Sequence, residues 1–503
     1  MTVVDSQVLI PPRFLRSGVI DIGSNSIRLV VFDGGSRAPF PVFNEKLLCG
    51  LGRTLPETGR LNPEGVIHAL DSLERFALLA AGMQVDPLMV VATAAVREAS
   101  DGPAFVAEVE RRTGLTVQVI SGEEEARLSA LGVLSGTPGA EGLTGDLGGG
   151  SLELVTLSDG ALGERATLPL GPFRLQGQGL SSKPGALAKR IDQILDTLPW
   201  LAAGRGQVFY PVGGNWRALA KLHLEHIQHP LHIIHHYQVP APALRDFAGL
   251  IARQSRSSLD KISAGSRRRN DTLPLAALVM ERVLRRIEPA MVVFSAYGLR
   301  EGLLFSHLGA DALREDPLLA GCRELAARLG RFGIAAALVS WTQDLFNSET
   351  AEEGRLRQAA CLLSDLGWVE HPDYRAEHAA LRILRLPLVG IDHPGRAFLA
   401  LSVYLRYGGR LEDPAVATAR ALLPAAGVQR AQVLGLTLRL AHTLAGGTPT
   451  LLAASRLRQE RNRLILGLPP AHAHLMGDTP LRRLETLARL LDRVAVVTHS
   501  AGI

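Results

Sequence analysis

The sequence predicts an α/β protein with two related lobes, followed by an all-helical region. Residues 18–33 (GVIDIGSNSIRLVVFD) and 144–157 (TGDLGGGSLELVTL) share the pattern D-x-G-x-x-S, which begins at Asp21 and at Asp146. The copies lie about one domain length apart, so each opens a lobe with a strand, a Gly/Ser turn and a second strand. Strand and helix signals alternate up to about residue 308, and Leu/Ala/Arg periodicity replaces them from about residue 312.

The individual elements follow from periodicity and from the positions of Gly and Pro. We predict amphipathic helices over 63–81 and 103–113, and strands over 88–92, 116–120, 207–212, 231–239 and 290–294. Short strands at 464–468 and 493–498 are expected in the tail. We therefore place lobe I at residues 1–133, lobe II at 134–311, and a helical domain with a small C-terminal tail at 312–503.

Composition excludes several classes of protein. No run of 18 apolar residues occurs, and the N-terminus lacks a basic region followed by an apolar run, so neither a membrane span nor a signal peptide is expected. The cysteines, Cys49, Cys322 and Cys361, are too widely separated for a C-x-x-C zinc site or a disulfide framework. We expect a cytoplasmic protein.

The cation usage is uneven, because only five of the 54 basic residues are lysine. Arginine suits bidentate phosphate binding, although a GC-rich coding bias explains the same excess. The net charge of +5 is too small to name a polyanion partner, and no nucleic-acid partner is expected.

The two Gly/Ser turns are candidate phosphate-binding loops. Successive backbone N–H groups in such a turn form a concavity that binds phosphate oxygens, and glycines let the backbone approach closely. Two matched copies indicate this more strongly than one, against the alternative of two ordinary hairpin turns. The candidate residues are Gly23, Ser24, Asn25 and Ser26 in the first loop and Gly148, Gly149, Gly150 and Ser151 in the second.

Carboxylates accompany both loops. Asp21 and Asp146 end equivalent strands and should point at a shared cleft, and Glu153 lies on the same strand face as Ser151. One or two carboxylates together with phosphate suit Mg²⁺, or Mn²⁺ in its place, so these three are candidate metal ligands. Each Asp alone could instead cap its turn.

Two further residues are candidates for chemistry. Ser121 and Glu124 form a predicted capping box, which leaves Glu125 without a local role and able to accept a proton from water. Favourable electrostatics at the helix start is the alternative for Glu125. Arg97 follows the strand at 88–92 and could hold a phosphoryl group, or form a surface salt bridge with Glu98 or Asp101.

Five histidines recur at every third residue, a spacing that resembles a metal site, but other features argue against one. Pro230 interrupts the helix, so the five do not share a face, and Glu225 points away from the first two. Arg267–Arg269 is interpreted as a solvated loop, and no G-x-x-x-x-G-K-[ST] motif occurs. The histidines in question are His223, His226, His229, His232 and His235.

At these motifs the chain resembles the exopolyphosphatase / guanosine pentaphosphate phosphatase (Ppx/GppA) family. The resemblance runs in order, over roughly residues 17–308, through IDIGSNSIRLVV, ATAAVREA, ISGEEEARL, GDLGGGSLELV, PVGGNWRAL and SAYGLREGLL. It implies the actin-like (ribonuclease H-like) fold of the sugar kinase, heat-shock chaperone and actin superfamily.

The resemblance also implies roles for particular residues. Glu125, just before Ala126 and Arg127, matches the family's general base, and Arg97 matches a phosphate-holding element. Asp146 and Glu153 match acidic residues around the metal and water. A third phosphate loop is implied at Gly213, Gly214 and Asn215, although Asn215 and Trp216 depart from the usual pattern.

Long members of the family carry a helical domain resembling HD-type phosphohydrolases, and RQAACLLSDLGWVEHPDYRAEH aligns with it. The His-Asp pair is replaced by Ser364 and Asp365, while His371 and His378 remain. A site without its central histidine should bind metal poorly. We interpret this HD-like domain as a non-catalytic scaffold or dimerisation surface, and expect a homodimer.

The function predicted is that of an exopolyphosphatase, with inorganic polyphosphate as substrate. The alternative is a pppGpp 5′-phosphohydrolase with the same chemistry. An ATP-dependent kinase or chaperone-like ATPase would need an adenosine pocket at the third loop, where Trp216 and Arg217 would crowd it. A silent phosphate-polymer sensor is disfavoured by the intact acidic set.

Overall fold

The computed structural model describes residues 16–33, 37–177, 184–262 and 271–499. These residues form two compact units. The first runs to His226 and resumes from Tyr237 to Arg314, and the second holds Ile227–His236 and begins again at Glu315. Among the described helices, none is long and apolar enough to cross a bilayer.

The first sheet of the first unit has five strands in the order β3-β2-β1-β4-β5. An antiparallel meander of β1, β2 and β3 is extended by β4 and β5, which run parallel to β1. Apolar side chains such as Val19, Ile20 and Ile22 are fully buried, as expected for a sheet covered on both faces. The strands are β1 Arg16–Ile22, β2 Ser26–Asp33, β3 Phe40–Leu48, β4 Leu88–Ala92 and β5 Gln118–Val119.

The second sheet repeats this plan and has the order β10-β11-β9-β6-β7-β8. The strands β6, β7 and β8 form an antiparallel meander, and β9 runs parallel to β6 as β4 runs parallel to β1. The predicted fold of two related α/β lobes is confirmed. The strands are β6 Gly142–Leu147, β7 Leu152–Ser158, β8 Ala161–Leu168, β9 Val208–Val212, β10 Tyr237–Pro240 and β11 Met291–Phe294.

Helices cover these two sheets. Those of the N-terminal half are α1 Leu55–Thr58, α2 Pro63–Gly82, α3 Ala94–Glu98, α4 Gly102–Thr113, α5 Gly122–Gly136, α6 Pro172–Gly177 and α7 Pro184–Leu195. A 3-10 helix, Pro199–Gly204, precedes β9. The rest are α8 Gly214–His226, α9 Ala241–Ala252, α10 Arg256–Ile262, α11 Leu273–Ile287, α12 Leu299–Ser306 and α13 Ala310–Arg314.

Helix α5 belongs to both hydrophobic cores. Ala126 and Val133 pack with the second sheet, whereas Leu128 packs with Val19 of the first. Helix α5 also touches α12 backbone to backbone. A Cβ at Gly302 would lie 1.7 Å from the Leu128 carbonyl oxygen, so only glycine allows this approach.

The second unit is mainly helical. Its helices are α14 Pro317–Leu329, α15 Ala335–Thr342, α16 Ala351–Leu363, α17 Arg375–Arg385, α18 His393–Arg406, α19 Ala417–Ala421, α20 Ala425–Ala445, α21 Pro449–Ala453 and α22 Asp478–Leu490. Short 3-10 helices occupy Gln343–Leu345, Pro414–Val416 and Pro470–Leu475. A three-stranded sheet of β12 Arg456–Glu460, β13 Arg463–Leu468 and β14 Val494–His499 completes it.

Two predicted strands are shorter in the structure, and three strands were not predicted. The strand expected over 231–239 is only Tyr237–Pro240, because the histidine-rich segment before it turns instead of pairing. The strand expected over 116–120 shrinks to Gln118–Val119. The edge strands β3, β8 and β12 were not predicted, since their side chains are largely exposed and the apolar signal is weak. The predicted Arg267–Arg269 loop lies outside the described residues.

Candidate phosphate-binding cleft

A cleft of about 170 Å³ in the first unit collects nearly all of the predicted catalytic, phosphate-binding and metal-binding residues. The turns after β1 and β6 line it, together with the third loop before α8 and the start of α12. Of the predicted site residues, Arg97 alone is absent from the described lining. Side chains from distant parts of the sequence therefore meet where the strands of both sheets end.

The two Gly/Ser loops have the same geometry and face each other. The Gly23 N–H donates to the Ser26 carbonyl at 3.1 Å, and the Gly148 N–H donates to the Ser151 carbonyl at 3.0 Å. A Cβ added at Gly149 would lie 3.2 Å from the Ser24 Cβ, so the loops nearly touch. This opposition leaves backbone groups of both loops on one cavity, as a phosphate cradle requires.

The third loop completes the rim. Gly213 has a φ of +100° and lies against Asp146 and Leu147, where a Cβ would come within 2.5 Å of the Leu147 carbonyl. The Asn215 side-chain oxygen accepts from the Thr272 hydroxyl at 3.1 Å. Trp216 is fully buried and donates its indole N–H to the Ala276 carbonyl. It was expected to crowd the third loop, but its side chain does not line the cleft.

Three acidic side chains approach one another in the cleft. Asp146 and Glu153 are direct cross-strand partners in the β6–β7 register, on one face of the sheet. Burial raises the pKa of both, most strongly for Glu153, whose pKa the charges of Glu125 and Asp146 raise further. The Ser129 hydroxyl donates to Asp146 at 2.6 Å, which partly offsets its burial.

This arrangement suits a divalent cation bound partly by other ligands. The buried Glu153 Oε1 has no hydrogen-bond partner among the described residues, and such an oxygen is costly unless it is protonated or bound to a cation. Within the described ranges, no three His, Cys, Asp or Glu side chains form a metal cage. Mg²⁺ needs no such cage, since one or two carboxylates with water and phosphate satisfy it.

Glu125 is the acidic residue of the first turn of α5 that lines the cleft. Burial raises its pKa to about 7; Arg97, which donates to its carboxylate at 3.1 Å, opposes the rise, while Asp146 and Asp21 add to it. A carboxyl group that titrates near neutrality is suited to proton transfer.

Arg97 reaches the cleft through Glu125, to whose carboxylate it donates. It also donates to the Ile120 carbonyl at 2.8 Å, which fixes its position. The alternative partners considered for Arg97 are wrong, because Glu98 pairs with Arg174 and Asp101 with Arg60.

Half of the predicted capping box is present at the start of α5. The Ser121 hydroxyl accepts from the Glu124 N–H at 3.1 Å, but the Glu124 carboxylate forms a bidentate pair with Arg127 instead of returning to the cap. Glu124 is therefore occupied on the surface of the helix, and Glu123 is exposed.

Sequence reasoning missed three arginines that line the cleft. Arg28 lies opposite Asp21 in the β1–β2 register, and Arg300 donates to Asp21 at 3.1 Å. Burial, together with the charges of Arg300 and Arg217, lowers the pKa of Arg28 to about 10. The repeat itself held a signal, because Arg28 stands at the position that Glu153 occupies in the second copy.

Asp21, expected as a metal ligand, thus has Arg300 on one of its oxygens. Arg217 is held by two backbone carbonyls, those of Gly213 and Ala296. These contacts fix the guanidinium groups before any ligand arrives, so the cleft offers preset positive charge facing its phosphate loops.

Two of the five recurring histidines, His223 and His229, hydrogen-bond to protein groups. His223 is buried, and its Nδ1 lies 2.6 Å from the Tyr237 hydroxyl. His229 Nδ1 contacts the backbone of Leu231.

The residues that align with the HD-type site have other partners. The Asp365 carboxylate is bound by Arg331 and Arg406, and Ser364 contacts His442 at 3.0 Å. His371 and His378 are exposed.

Comparisons with known proteins agree with this geometry. The Ppx/GppA phosphatase family matches residues 30–311, and the exopolyphosphatase C-terminal domain matches residues 318–497. Exopolyphosphatase 1 of Mycobacterium tuberculosis is 29% identical over 322 residues, covering 59% of this chain and 90% of its own. Retrograde regulation protein 2 of Saccharomyces cerevisiae is 27% identical over 436 residues, covering 79% of this chain and 73% of its own.

Solved structures share the fold of more than half of the chain. A crystal structure of an exopolyphosphatase from Cytophaga hutchinsonii has a TM-score of 0.54 at 24% identity, covering 58% of this chain and 97% of that one. The Aquifex aeolicus member of the Ppx/GppA family has a TM-score of 0.51 at 25% identity, covering 58% and 97%. Because the family match spans more than half of its residues in the order that its motifs predicted, the chain belongs to the Ppx/GppA phosphatase family.

Proposed function

We propose that this protein is an exopolyphosphatase, which hydrolyses the terminal phosphoanhydride bond of inorganic polyphosphate. The observation that carries the proposal is the convergence of two opposed phosphate loops, three arginines and the buried Glu125 on one cleft. The names of the mycobacterial relatives support the same substrate.

The cleft residues divide the work of phosphoryl transfer. Backbone N–H groups of the loops at Gly23–Ser26 and Gly148–Ser151 would hold the terminal phosphoryl group. Arg28, Arg217 and Arg300 would neutralise the charge of the phosphates that follow. Such catalysis is mostly positioning and electrostatics, which a rigid set of donors supplies.

Glu125 would remove the proton of the attacking water. Its carboxylate is held by Arg97, so it presents a fixed oxygen toward the cleft and remains basic near neutral pH. Asp146 and Glu153 would hold Mg²⁺ or Mn²⁺, which supplies positive charge to the phosphate oxygens when bound. Ser129 keeps Asp146 oriented for this task.

The same chemistry would serve pppGpp, so the substrate is decided by direct comparison. Phosphate release should be measured from long-chain polyphosphate, pppGpp and ATP with Mg²⁺ present. We expect the highest kcat/KM for polyphosphate. A higher value for pppGpp would replace the proposal with the nucleotide reaction, and release from ATP alone would indicate an ATPase.

Two further properties belong to the proposal. The three cysteines are free and buried, which suits a reducing cytoplasm. We also propose a homodimer, which sedimentation of the purified chain would test against a monomer.

A further inference from the structure

A second basic cavity, of about 410 Å³, lies within the helical unit and apart from the residues of the cleft. It forms around α18, α20 and α22, beside Asp365, which pairs with two of its lining residues. We call this cavity the arginine pocket. The arginines that line it are Arg331, Arg375, Arg406, Arg439 and Arg483.

Positive charge in this pocket exceeds the negative charge that faces it. Asp365 is shared by Arg331 and Arg406, at 2.7 and 3.3 Å. Arg375 donates to backbone carbonyls, including that of Trp368. Among the described residues, no carboxylate pairs with Arg439 or Arg483. Five guanidinium groups therefore face one carboxylate.

The guanidinium groups act on one another through the cavity. Partial burial and the charges of Arg483 and Arg406 lower the pKa of Arg439 to about 10, so it remains charged at neutral pH. His442 adds no charge, because burial and Arg406 lower its pKa to about 3. Like charges in one cavity repel one another, and a bound anion would relieve the repulsion.

The geometry favours an anion with several oxygens. Arg406 lies 3.8 Å from the centre of the Tyr407 ring and Arg375 lies 5.9 Å from it, so the aromatic ring fixes both forks. A planar guanidinium group that is held in place can donate two parallel hydrogen bonds to phosphate oxygens. The five guanidinium groups around this cavity offer more N–H donors than the two oxygens of one carboxylate can accept. Two linked phosphates, which carry more oxygens, suit the cavity better.

The arrangement does not suit a metal ion. Both oxygens of Asp365 accept from guanidinium groups, and Ser364 is hydrogen-bonded to His442. Among the residues that the structure describes, no three His, Cys, Asp or Glu side chains gather here to form a metal cage.

We propose that the arginine pocket binds a compact phosphoanhydride anion, either pyrophosphate or the diphosphate of a nucleotide. This inference does not depend on which substrate the cleft hydrolyses, because no cleft residue takes part. It assigns the helical unit a binding function beyond that of a scaffold.

The test measures labelled pyrophosphate bound at equilibrium to the full chain carrying Glu125→Gln, which limits hydrolysis. Adding Arg439→Gln and Arg483→Gln should remove one equivalent of bound pyrophosphate per chain, or weaken it about tenfold or more for each arginine. The matched control is Arg482→Gln, an exposed neighbour on the same helix, which should leave binding unchanged. The double variant should keep its Tm, since it removes charges that repel.

Competition identifies the source of the anion. Displacement by GDP below the concentration needed for pyrophosphate would indicate a nucleotide, and the reverse order would indicate an inorganic anion. Unchanged binding in the double variant would overturn the proposal. An equal loss in Arg482→Gln, or equally tight binding of sulfate, would overturn it as well by showing a nonspecific basic surface.

Discussion

Replacing Glu125 by glutamine tests the proposed base most directly. The amide keeps the shape of the side chain and an oxygen that can accept from Arg97, but it cannot take a proton from water. General bases contribute about 10²–10⁴-fold to rate, or about 3–5 kcal/mol of activation free energy. We expect kcat to fall by this factor while KM changes little, because phosphate contacts remain.

The raised pKa adds a second, independent signature. Ionising Glu125 in the folded protein requires a pH near 7, whereas the unfolded chain ionises near the ordinary 4.5. The free energy of unfolding should therefore fall by about 3 kcal/mol as pH rises from about 4.5 to 7, then level off. Glutamine removes this loss, so the variant should gain stability relative to the wild type over that window.

The assay combines steady-state phosphate release with thermal unfolding between pH 5 and 8.5. Wild-type activity should rise through about pH 7 as Glu125 ionises, and this rise should be absent from the variant. Glu124→Gln is the matched control, because it breaks only the surface pair with Arg127. A crippled Glu124→Gln beside a nearly normal Glu125→Gln would refute the assignment.

Other expectations concern metal, the HD-like domain and the polymer. Excess EDTA should abolish phosphate release without changing the far-UV spectrum, and full activity in EDTA would contradict a role for Asp146 and Glu153. His371→Ala should leave hydrolysis intact because the ring is exposed, whereas Asp365→Ala should lower Tm by leaving two arginines unpaired. A stoichiometric transition metal bound at the HD-like domain of the purified full chain would contradict the expectation that this domain holds no metal. The KM for polyphosphate should fall with chain length and rise with salt, and a length-independent KM would argue against distributed arginine contacts.

Local patterns made much of the cleft predictable. The repeated D-x-G-x-x-S motif identified both loops and both aspartates, because a turn between two strands is encoded by adjacent residues. Glu125 stood out for a similar reason, because the neighbouring Glu124 was assigned to the cap at Ser121 and Glu125 had no such local role. The metal, the base and the substrate remain proposals, whereas the two-lobe fold is confirmed.

Contacts between distant segments were not predictable in this way. Arg28 looks in sequence like an ordinary polar position on an amphipathic strand, and only the folded sheet sets it beside Arg217 and Arg300. Arg97 was expected to hold a phosphoryl group or to pair with Glu98 or Asp101, and of the acidic partners the structure gives it Glu125, on another helix. Pairing between side chains depends on topology, which periodicity does not determine.

The glycine contact between α5 and α12 determines how the cleft could open. Any rotation of one lobe against the other displaces atoms least near the axis, and two backbones in direct contact behave as a pivot. Glu125 and Arg300 stand near the first residues of these two helices, within three residues of the contact, so opening about this pivot would move these two side chains less than it moves the phosphate loops. A methyl group at Gly302 would meet the Leu128 carbonyl oxygen and push the two helices apart, although neither residue lines the cleft.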